Sequence, residues 1–126
     1  MEIHNILMYI CPMYTSELIK GTLKTIVLNL LKEKGKMYGY EITQTVKTVT
    51  EGKILITEGA LYPTLHALEK SGELTTEEEF IGKRVRKYYT LTPKGLEAAN
   101  QKVNELVDFM STMKFLLNLE PKLGNV

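Results

Sequence analysis

Hydrophobic residues recur at every third or fourth position in several stretches of the chain, which is the spacing of one face of an α-helix. The first stretch follows Ser16 and Glu17 and stops at Gly35, a residue type that commonly ends helices. Its apolar positions are Leu18, Ile19, Leu23, Ile26, Val27, Leu30 and Leu31. The pattern predicts one amphipathic helix from Ser16 to just before Gly35.

Two shorter helices are predicted next. The second runs from about Tyr38 to Thr50, and the third begins at Thr57, whose side chain can cap the first turn, and ends at about Ser71. Their inward-facing positions are Ile42, Val46 and Val49 in the second helix and Leu61, Leu65 and Leu68 in the third. Residues 53–56 lie between the two helices and are too few for another helix, so they are predicted to form a short strand.

The rest of the chain predicts a β-hairpin and a long helix. Residues 73–91 contain two runs that resemble strands on either side of Gly82, which suits the tip of a hairpin. Thr92 followed by Pro93 is typical of a helix start, with threonine as the cap and proline in the first turn. This last helix is expected to reach about Leu119, a length of ~27 residues or about 40 Å.

The order helix, helix, strand, helix, hairpin, long helix predicts a mainly α fold with a small β-hairpin. This is a winged helix-turn-helix, a unit that places its third helix in the major groove of DNA, followed by a long C-terminal dimerisation helix. The chain of 126 residues has the size of one ordinary domain. We expect an N-terminal arm at 1–15, the winged-helix DNA-binding domain at 16–92, the dimerisation helix at 93–119 and a tail at 120–126.

Composition narrows the classes of function. The chain has 16 Lys and Arg residues against 15 Asp and Glu, a net charge of +1, which argues against a uniformly basic nucleic-acid binder. Cys11 is the single cysteine and, together with His4 and His66, gives neither an internal disulfide nor a metal-ligand spacing. No apolar run has membrane length and no signal peptide is recognisable, so we expect a cytoplasmic protein without a membrane partner.

Residue clusters that would indicate catalysis are missing from the sequence. No paired carboxylates, nucleophile with a neighbouring base, or glycine-rich phosphate loop stands out. We therefore expect that the protein is not an enzyme and needs no metal or other cofactor.

The positive charge is concentrated in one part of the chain. Residues 16–95 carry 13 basic and 10 acidic side chains. Four of the cations lie at and just after the predicted hairpin tip, at Lys83, Arg84, Arg86 and Lys87. A projecting hairpin with these charges can lie beside a phosphate backbone. The alternative is that Glu77, Glu78 and Glu79 on the paired strand neutralise the cations, which would leave a solvated edge.

Polar side chains near the second and third helices extend the candidate DNA-binding surface, because hydroxyl and imidazole groups can donate hydrogen bonds to phosphates or base edges. The candidates are Thr57, Tyr62, Thr64 and His66 on the third helix, and Lys36 and Tyr38 before the second. The alternative assignments make Tyr62 a half-buried ring between helices, His66 a surface or cap residue and Lys36 a solvated lysine. Glu58 would repel a nearby phosphate, so the helix does not reveal a base preference.

The last helix carries a heptad pattern of the kind that pairs helices. Its apolar positions, separated alternately by three and four residues, are Leu96, Ala99, Val103, Leu106, Met110, Met113 and Leu117. Some of these residues are expected to pack on the first helix, but the pattern is longer than that helix and favours a homodimer. A two-fold dimer would recognise a palindromic site in double-stranded DNA. Phe109, Met110 and Met113 are a candidate pocket for a small apolar or aromatic effector, although ordinary core packing is an alternative.

Four ordered blocks of the sequence resemble the PadR family of bacterial transcription regulators. The blocks are Glu17–Leu23, Met37–Ile42, Glu58–Glu69 and Arg86–Gly95, and the similarity covers about residues 16–119. The resemblance implies a winged-helix domain, a dimer formed largely by the C-terminal helix, and repression of nearby promoters. In some members a small aromatic or drug-like molecule releases the DNA. By position it implies that Gly59–His66 opens the recognition helix, that Tyr38 starts the second helix, and that Lys83–Lys87 form the wing.

Two features depart from that family pattern. The arm at 1–15 is longer than a short member needs, and the chain has no tryptophan, the residue with which multidrug-binding relatives line the dimer pore. The single, fairly short last helix is similar to that of the compact subgroup. We expect a dimeric, sequence-specific DNA-binding transcriptional regulator that represses a nearby promoter until a small molecule or another signal releases it. The alternative is a winged-helix module for protein–protein contact without specific DNA binding.

Overall fold

The computed structural model describes residues 14–119. The expectations for 1–13 of the arm, which include Cys11 and His4, and for the 120–126 tail lie outside the described residues. In chain order, the elements are α1 Ser16–Lys20, α2 Leu23–Lys34, β1 Met37–Tyr38, α3 Gly39–Val49, α4 Glu58–Lys70, β2 Leu74–Ile81, β3 Arg84–Leu91 and α5 Pro93–Leu116. This arrangement confirms the predicted fold class, a mainly α winged helix-turn-helix with a long C-terminal helix.

The hydrophobic core lies around α2, which packs against α4, β3 and α5. Val27 and Leu28 of this helix are fully buried. The third predicted helix, α4, buries its three leucines as the spacing indicated, at Leu61, Leu65 and Leu68. Helix α3 buries Ile42 and Val46, but the prediction for Val49 is wrong because this side chain is 73% exposed. Val49 is the last residue of α3, beyond the part of the helix that faces the core.

The sheet has three antiparallel strands in the order β1-β3-β2. Strands β2 and β3 form the predicted hairpin, with a two-residue turn in which Gly82 has a φ of 65°, a conformation that favours glycine at such turns. Strand β1 pairs with β3 only at Tyr88 and Tyr89. The edge of β3 from Arg84 to Lys87 is therefore open on the side away from β2.

The first predicted helix and the predicted short strand at residues 53–56 differ from the structure. The first predicted helix is divided at Gly21 and Thr22, where the Thr22 hydroxyl donates a hydrogen bond to the carbonyl of Ile19 over 2.9 Å. Glycine favours a helix less than other residues except proline, which explains a break at this point. Residues 53–56 are not a strand: the Ile54 N–H donates to the Thr50 hydroxyl over 3.1 Å, and the third strand of the sheet is β1 instead.

The last helix is three residues shorter than expected, and the geometry of its end explains why. Asn118 has a φ of 62°, the Leu119 N–H donates to the Lys114 carbonyl over 2.9 Å, and the Asn118 N–H donates to Phe115 over 3.0 Å. These are the two hydrogen bonds of a Schellman motif, which closes a helix. Helix α5 therefore ends at Leu116.

The start of α5 is fixed against the connection between α4 and β2. The Thr92 side chain accepts a hydrogen bond from the Gly95 N–H over 3.0 Å, as a cap does, and donates one to the Gly72 carbonyl over 2.7 Å. Gly95 is buried, and a Cβ there would overlap the carbonyl oxygen of Glu73. These contacts hold the direction in which the long helix leaves the winged-helix core.

Candidate nucleic-acid interface

A cleft of about 770 Å³ lies between the start of α3, the exposed side of α4 and the open edge of β3. We call it the wing cleft. Its lining comprises Tyr38, Gly39, Tyr40, Glu58, Tyr62, His66, Ile81, Arg84, Val85, Arg86, Lys87 and Tyr89. The cleft brings together six of the residues singled out from the sequence, and these are Tyr38, Tyr62, His66, Arg84, Arg86 and Lys87.

Helices α3 and α4 are joined in the cleft by a close contact between a glycine and a tyrosine. A Cβ built on Gly39 would lie 2.8 Å from Cζ of Tyr62, which is closer than real side chains approach. Gly39 is buried at the start of α3, and Tyr62 is half-buried. The Tyr62 ring thus lies half-buried between the two helices, which was the alternative to a DNA contact for this residue. The same ring also lines the cleft.

The outer face of the sheet carries a cluster of aromatic and cationic side chains. The rings of Tyr38 and Tyr88 meet edge to face, with centroids 5.5 Å apart and planes at 77°. The Arg86 guanidinium stacks 4.1 Å from the centroid of Tyr38, and its Nη1 is 3.5 Å from the Tyr88 hydroxyl. Because the hydrogen bond to Tyr88 favours the charged guanidinium, the pKa of Arg86 is raised. The two tyrosines thereby hold the positively charged guanidinium of Arg86 at one side of the cleft.

Lys36 lies over the same cluster but is engaged by acidic groups. Its Nζ is 5.0 Å from the Tyr88 ring centroid, forms an ion pair with Glu77 over 3.2 Å and forms another with Glu79. The hydrogen bonds to Glu79 and then to Glu77 raise the pKa of Lys36. Lys36 therefore links β1 to β2 across β3, and two of the three glutamates on β2 bind this lysine rather than the wing cations.

The four wing cations differ in their surroundings. Lys87 lies 3.8 Å from the Glu69 carboxylate of α4, and Arg86 is held by the two tyrosines. Lys83 and Arg84, at the hairpin tip, are exposed and form no ion pair within residues 14–119. The alternative, in which the glutamates of β2 neutralise the wing cations, therefore does not hold at the tip, where the positive charge faces solvent.

Polar side chains at the start of α4 stabilise the helix and remain accessible. The Thr57 hydroxyl accepts a hydrogen bond from the Ala60 N–H over 3.2 Å, and the Thr64 hydroxyl donates one to the Ala60 carbonyl over 3.0 Å. Gly59 and His66 are exposed. An exposed helix start with free N–H groups and hydroxyls can approach phosphates and base edges.

Burial along α5 falls sharply from one end to the other. Ala99 is fully buried in the core of its own chain, so it is not available to a second chain. Val103 and Leu106 are half-buried. From Val107 to the end of the helix, every residue except Met113 is exposed, including Phe109 at 58% and Met110 at 47%. In a single chain, Phe109 and Met110 lie on the surface and do not enclose a cavity.

The burial of one polar ring in the cleft also has an electrostatic effect. Tyr89 is almost completely buried at the base of β3. Burial raises the pKa of its phenol, and Glu69 and Tyr62 raise it further, because each disfavours the tyrosinate. Tyr89 thus remains neutral and serves as part of the core beneath the cleft.

Among residues 14–119, no helix is both long and apolar enough to span a membrane.

Sequence reasoning missed two residues that shape this surface. Gly39 was not singled out, although its place between Tyr38 and Tyr40 in a block that resembles the PadR family was a usable signal. Tyr88 was not singled out either, although the two-residue period of a strand places it on the same face as Arg86. The two side chains are in contact on that face.

The fold and the cleft define a winged-helix protein with a basic wing and a long C-terminal helix. The model of the transcriptional regulator PadR-like family matches residues 27–101. The chain belongs to this family, which confirms the resemblance seen in the sequence.

Individual relatives agree with this assignment. The chain is 35% identical over 97 residues to the uncharacterized protein X of Lysinibacillus sphaericus, over 74% of this chain and 85% of the relative. A transcriptional regulator from Clostridium thermocellum aligns with a TM-score of 0.70 and 34% identity, over 85% of this chain and all of that structure. Bacillus subtilis PadR in complex with operator DNA aligns with a TM-score of 0.60 and 31% identity, over 65% of this chain and 46% of that one.

Proposed function

We propose that this chain is a homodimeric, sequence-specific DNA-binding regulator that represses a nearby promoter and is released by a small molecule or another signal. The observation that carries the proposal is the position of the unpaired cations Lys83 and Arg84, at the tip of the hairpin that borders the wing cleft. A polyanion that lies along α4 would meet this positive tip at its side. The structure of Bacillus subtilis PadR with operator DNA supports the same use of the fold.

Each part of the surface has its own role in the proposal. The exposed start of α4 enters the major groove, where Thr57, Gly59, Thr64 and His66 face base edges or phosphates. Arg86, held by Tyr38 and Tyr88, contacts the phosphate backbone from the cleft. Lys36 and Lys87 contribute less than Lys83 and Arg84, because each is already engaged by a carboxylate.

The exposed half of α5 supports the homodimer. A helix face that includes Met110, Phe109 and Leu117 leaves a large apolar surface in water unless a second chain covers it. Leu96, Val103, Leu106 and Met113 extend this surface along the heptad, and Ala99 does not. A pocket at Phe109, Met110 and Met113 for a small apolar or aromatic effector would form only between two chains.

Salt dependence tests the proposed DNA contact. Fragments bound by the chain would be selected from genomic DNA and titrated at about 50 and 200 mM salt. The Lys83→Ala/Arg84→Ala variant should bind more weakly than wild type to selected and random duplexes alike. Because each chain of the dimer loses two cations, the salt slope should be smaller by about 4. This variant avoids Arg86, whose loss would also disturb the packing of Tyr38.

A matched control removes two exposed lysines outside the cleft. Lys24→Ala/Lys47→Ala has the same charge change and should keep the salt slope of wild type. If the wing variant binds as wild type does, Lys83 and Arg84 are not part of the DNA interface. If selection recovers no fragment at low salt, the DNA-binding function is contradicted and the winged-helix module for protein–protein contact remains.

A further inference from the structure

An apolar groove of about 500 Å³ lies between α1, the first turns of α4 and the segment that leads into α4. We call it the α1–α4 groove. Its apolar side chains are Ile19, Leu23, Leu55, Ile56, Ala60 and Pro63. Leu55 is 39% exposed, and Ala60 and Pro63 are exposed as well. Apolar surface in contact with water is unfavourable, so the groove suits an apolar occupant.

The α1–α4 groove shares one wall with the proposed DNA-binding surface. Thr57, Gly59 and Thr64, which we propose to face base edges or phosphates, also line this groove. A segment that fills the groove therefore stands beside the exposed start of α4, where the DNA would have to approach. Occupation of the groove thus controls access to α4.

The chain itself passes the edge of the groove just before α1. The Tyr14 N–H donates a hydrogen bond to the Lys53 carbonyl over 2.9 Å, two residues before Leu55. Ser16 and Glu17, which follow Tyr14, line the groove. The segment 1–13 is therefore attached at the groove, and extended it can span up to about 45 Å. This reach exceeds the length of α4, whose 13 residues extend over about 20 Å.

The segment 1–13 also has the composition of an occupant for an apolar groove. Glu2 carries its single charged side chain, and the hydrophobic residues stand together at Ile6, Leu7, Met8, Tyr9, Ile10 and Cys11. Arms that enter DNA grooves use lysine and arginine, which this segment lacks. A segment tethered next to its site has a millimolar effective concentration, so a modest apolar contact suffices to hold it there.

We propose that residues 6–10 dock in the α1–α4 groove of their own chain and partly cover the start of α4, so that the free protein is autoinhibited for DNA binding. The arm and the DNA then compete for Gly59 and Thr64. If the arm covers α4 about nine-tenths of the time, the apparent Kd for DNA is about tenfold higher than without it. The effect on DNA rests on the proposed function, whereas the docking of the arm does not.

Disulfide trapping tests the docking without DNA, because Cys11 is the single cysteine of the chain. Ala60→Cys places a second thiol on the groove wall of α4. Thr48→Cys, an exposed position on α3 outside the groove and similarly near Lys53 in the chain, is the matched control. With diamide as the oxidant, Ala60→Cys should form a disulfide within one chain about tenfold faster than Thr48→Cys, since only thiols held close together pair readily. Equal rates, or disulfides between two chains alone, would overturn the inference.

The consequence for DNA is tested with Ile6→Asp/Ile10→Asp in the full chain. Carboxylates are costly to bury in an apolar groove, so the arm should leave it, and affinity for a duplex obtained by genomic selection should rise about tenfold. The added negative charge by itself would weaken DNA binding, so a rise cannot come from charge. Ile6→Val/Ile10→Val is the matched control and should bind as wild type does.

The disulfide form of Ala60→Cys completes the test, because it holds the arm in the groove. It should bind the selected duplex more weakly than wild type and recover on reduction. Unchanged or weaker binding by Ile6→Asp/Ile10→Asp would overturn the autoinhibition. In that case wild type still binds the selected duplex, so the proposed function would stand; failure of wild type to select any fragment would instead contradict the proposed function.

Discussion

Gly39 shows how one residue without a side chain shapes the wing cleft. The Tyr62 ring occupies the space that a Cβ on Gly39 would fill, so α3 and α4 can approach closely at the point where both face the cleft. Tyr38, the residue before it, receives Arg86 on its ring. A substitution of Gly39 therefore alters both the packing of α3 against α4 and the tyrosine surface that holds Arg86.

Gly39→Ala should lower the free energy of unfolding by about 1–3 kcal/mol, because the added methyl group overpacks the contact with Tyr62. Chemical denaturation measures this change. Gly21→Ala is the matched control, since a Cβ there meets nothing within 4 Å, and it should cause no loss of stability. In a Tyr62→Ala background the cost of Gly39→Ala should shrink; an equal cost in both backgrounds would show that Tyr62 is not the cause.

At the same scale, the sequence identified the cations of the interface but not their partners. The four wing cations stand close together in the chain and were found from that alone. The pairing of Lys36 with Glu77 and Glu79 joins residues 41 and 43 positions apart. This pairing exists because β1 lies against β3. Strand β1 has only two residues, so no periodicity in the sequence reveals it. Long-range ion pairs of this kind depend on the topology and are not encoded in local spacing.

At the scale of elements, predictions succeeded where a long apolar period or a cap fixes the structure. Helix α4 begins after Thr57 and buries the three leucines that its spacing indicated. The hairpin turn and the Thr92–Pro93 start of α5 were also confirmed. Three element predictions were wrong. A continuous apolar stripe hid the break at Gly21, and the apolar side chains of residues 53–56 belong to an irregular segment that buries Ile56. The end of α5 lies three residues earlier than expected, at Leu116.

Helix α5 gives the prediction that belongs to this scale. Leu106→Asp/Met110→Asp should convert the proposed dimer to a monomer, because two carboxylates cannot be buried in an apolar interface without a large penalty. Sedimentation velocity measures the mass. Since Leu106 is half-buried in its own chain, Met110→Asp alone, at a more exposed position, keeps the test valid if the double variant unfolds.

The matched control for the helix places the same charges on polar positions of α5. Gln101→Asp/Asn104→Asp changes two exposed residues outside the heptad and should leave the dimer intact. A stable dimer of both Leu106→Asp/Met110→Asp and Met110→Asp would show that the heptad face is not the interface.

At the scale of the whole molecule, the charged side chains sum to a net charge of only +1, but they are unevenly distributed over the surface. The unpaired cations Lys83 and Arg84 lie at the hairpin tip, while Arg86 is held by tyrosines and Lys36 and Lys87 are held by carboxylates. Non-specific attraction to DNA should therefore be modest. Discrimination should depend on α4, on the hairpin tip and on the spacing of the two winged-helix cores in the proposed dimer. The winged-helix core, the cleft and the exposed end of α5 are consistent with one arrangement, a two-fold dimer on a palindrome.

Selection of bound fragments from genomic DNA by the full-length chain, followed by sequencing, tests this central claim most directly. We predict enrichment of fragments that contain an inverted repeat, with half-sites centred about 10–10.5 base pairs apart or a multiple of that distance. The absence of enrichment at about 50 mM salt, where phosphate contacts are strongest, or enrichment of fragments without any repeat, would contradict it.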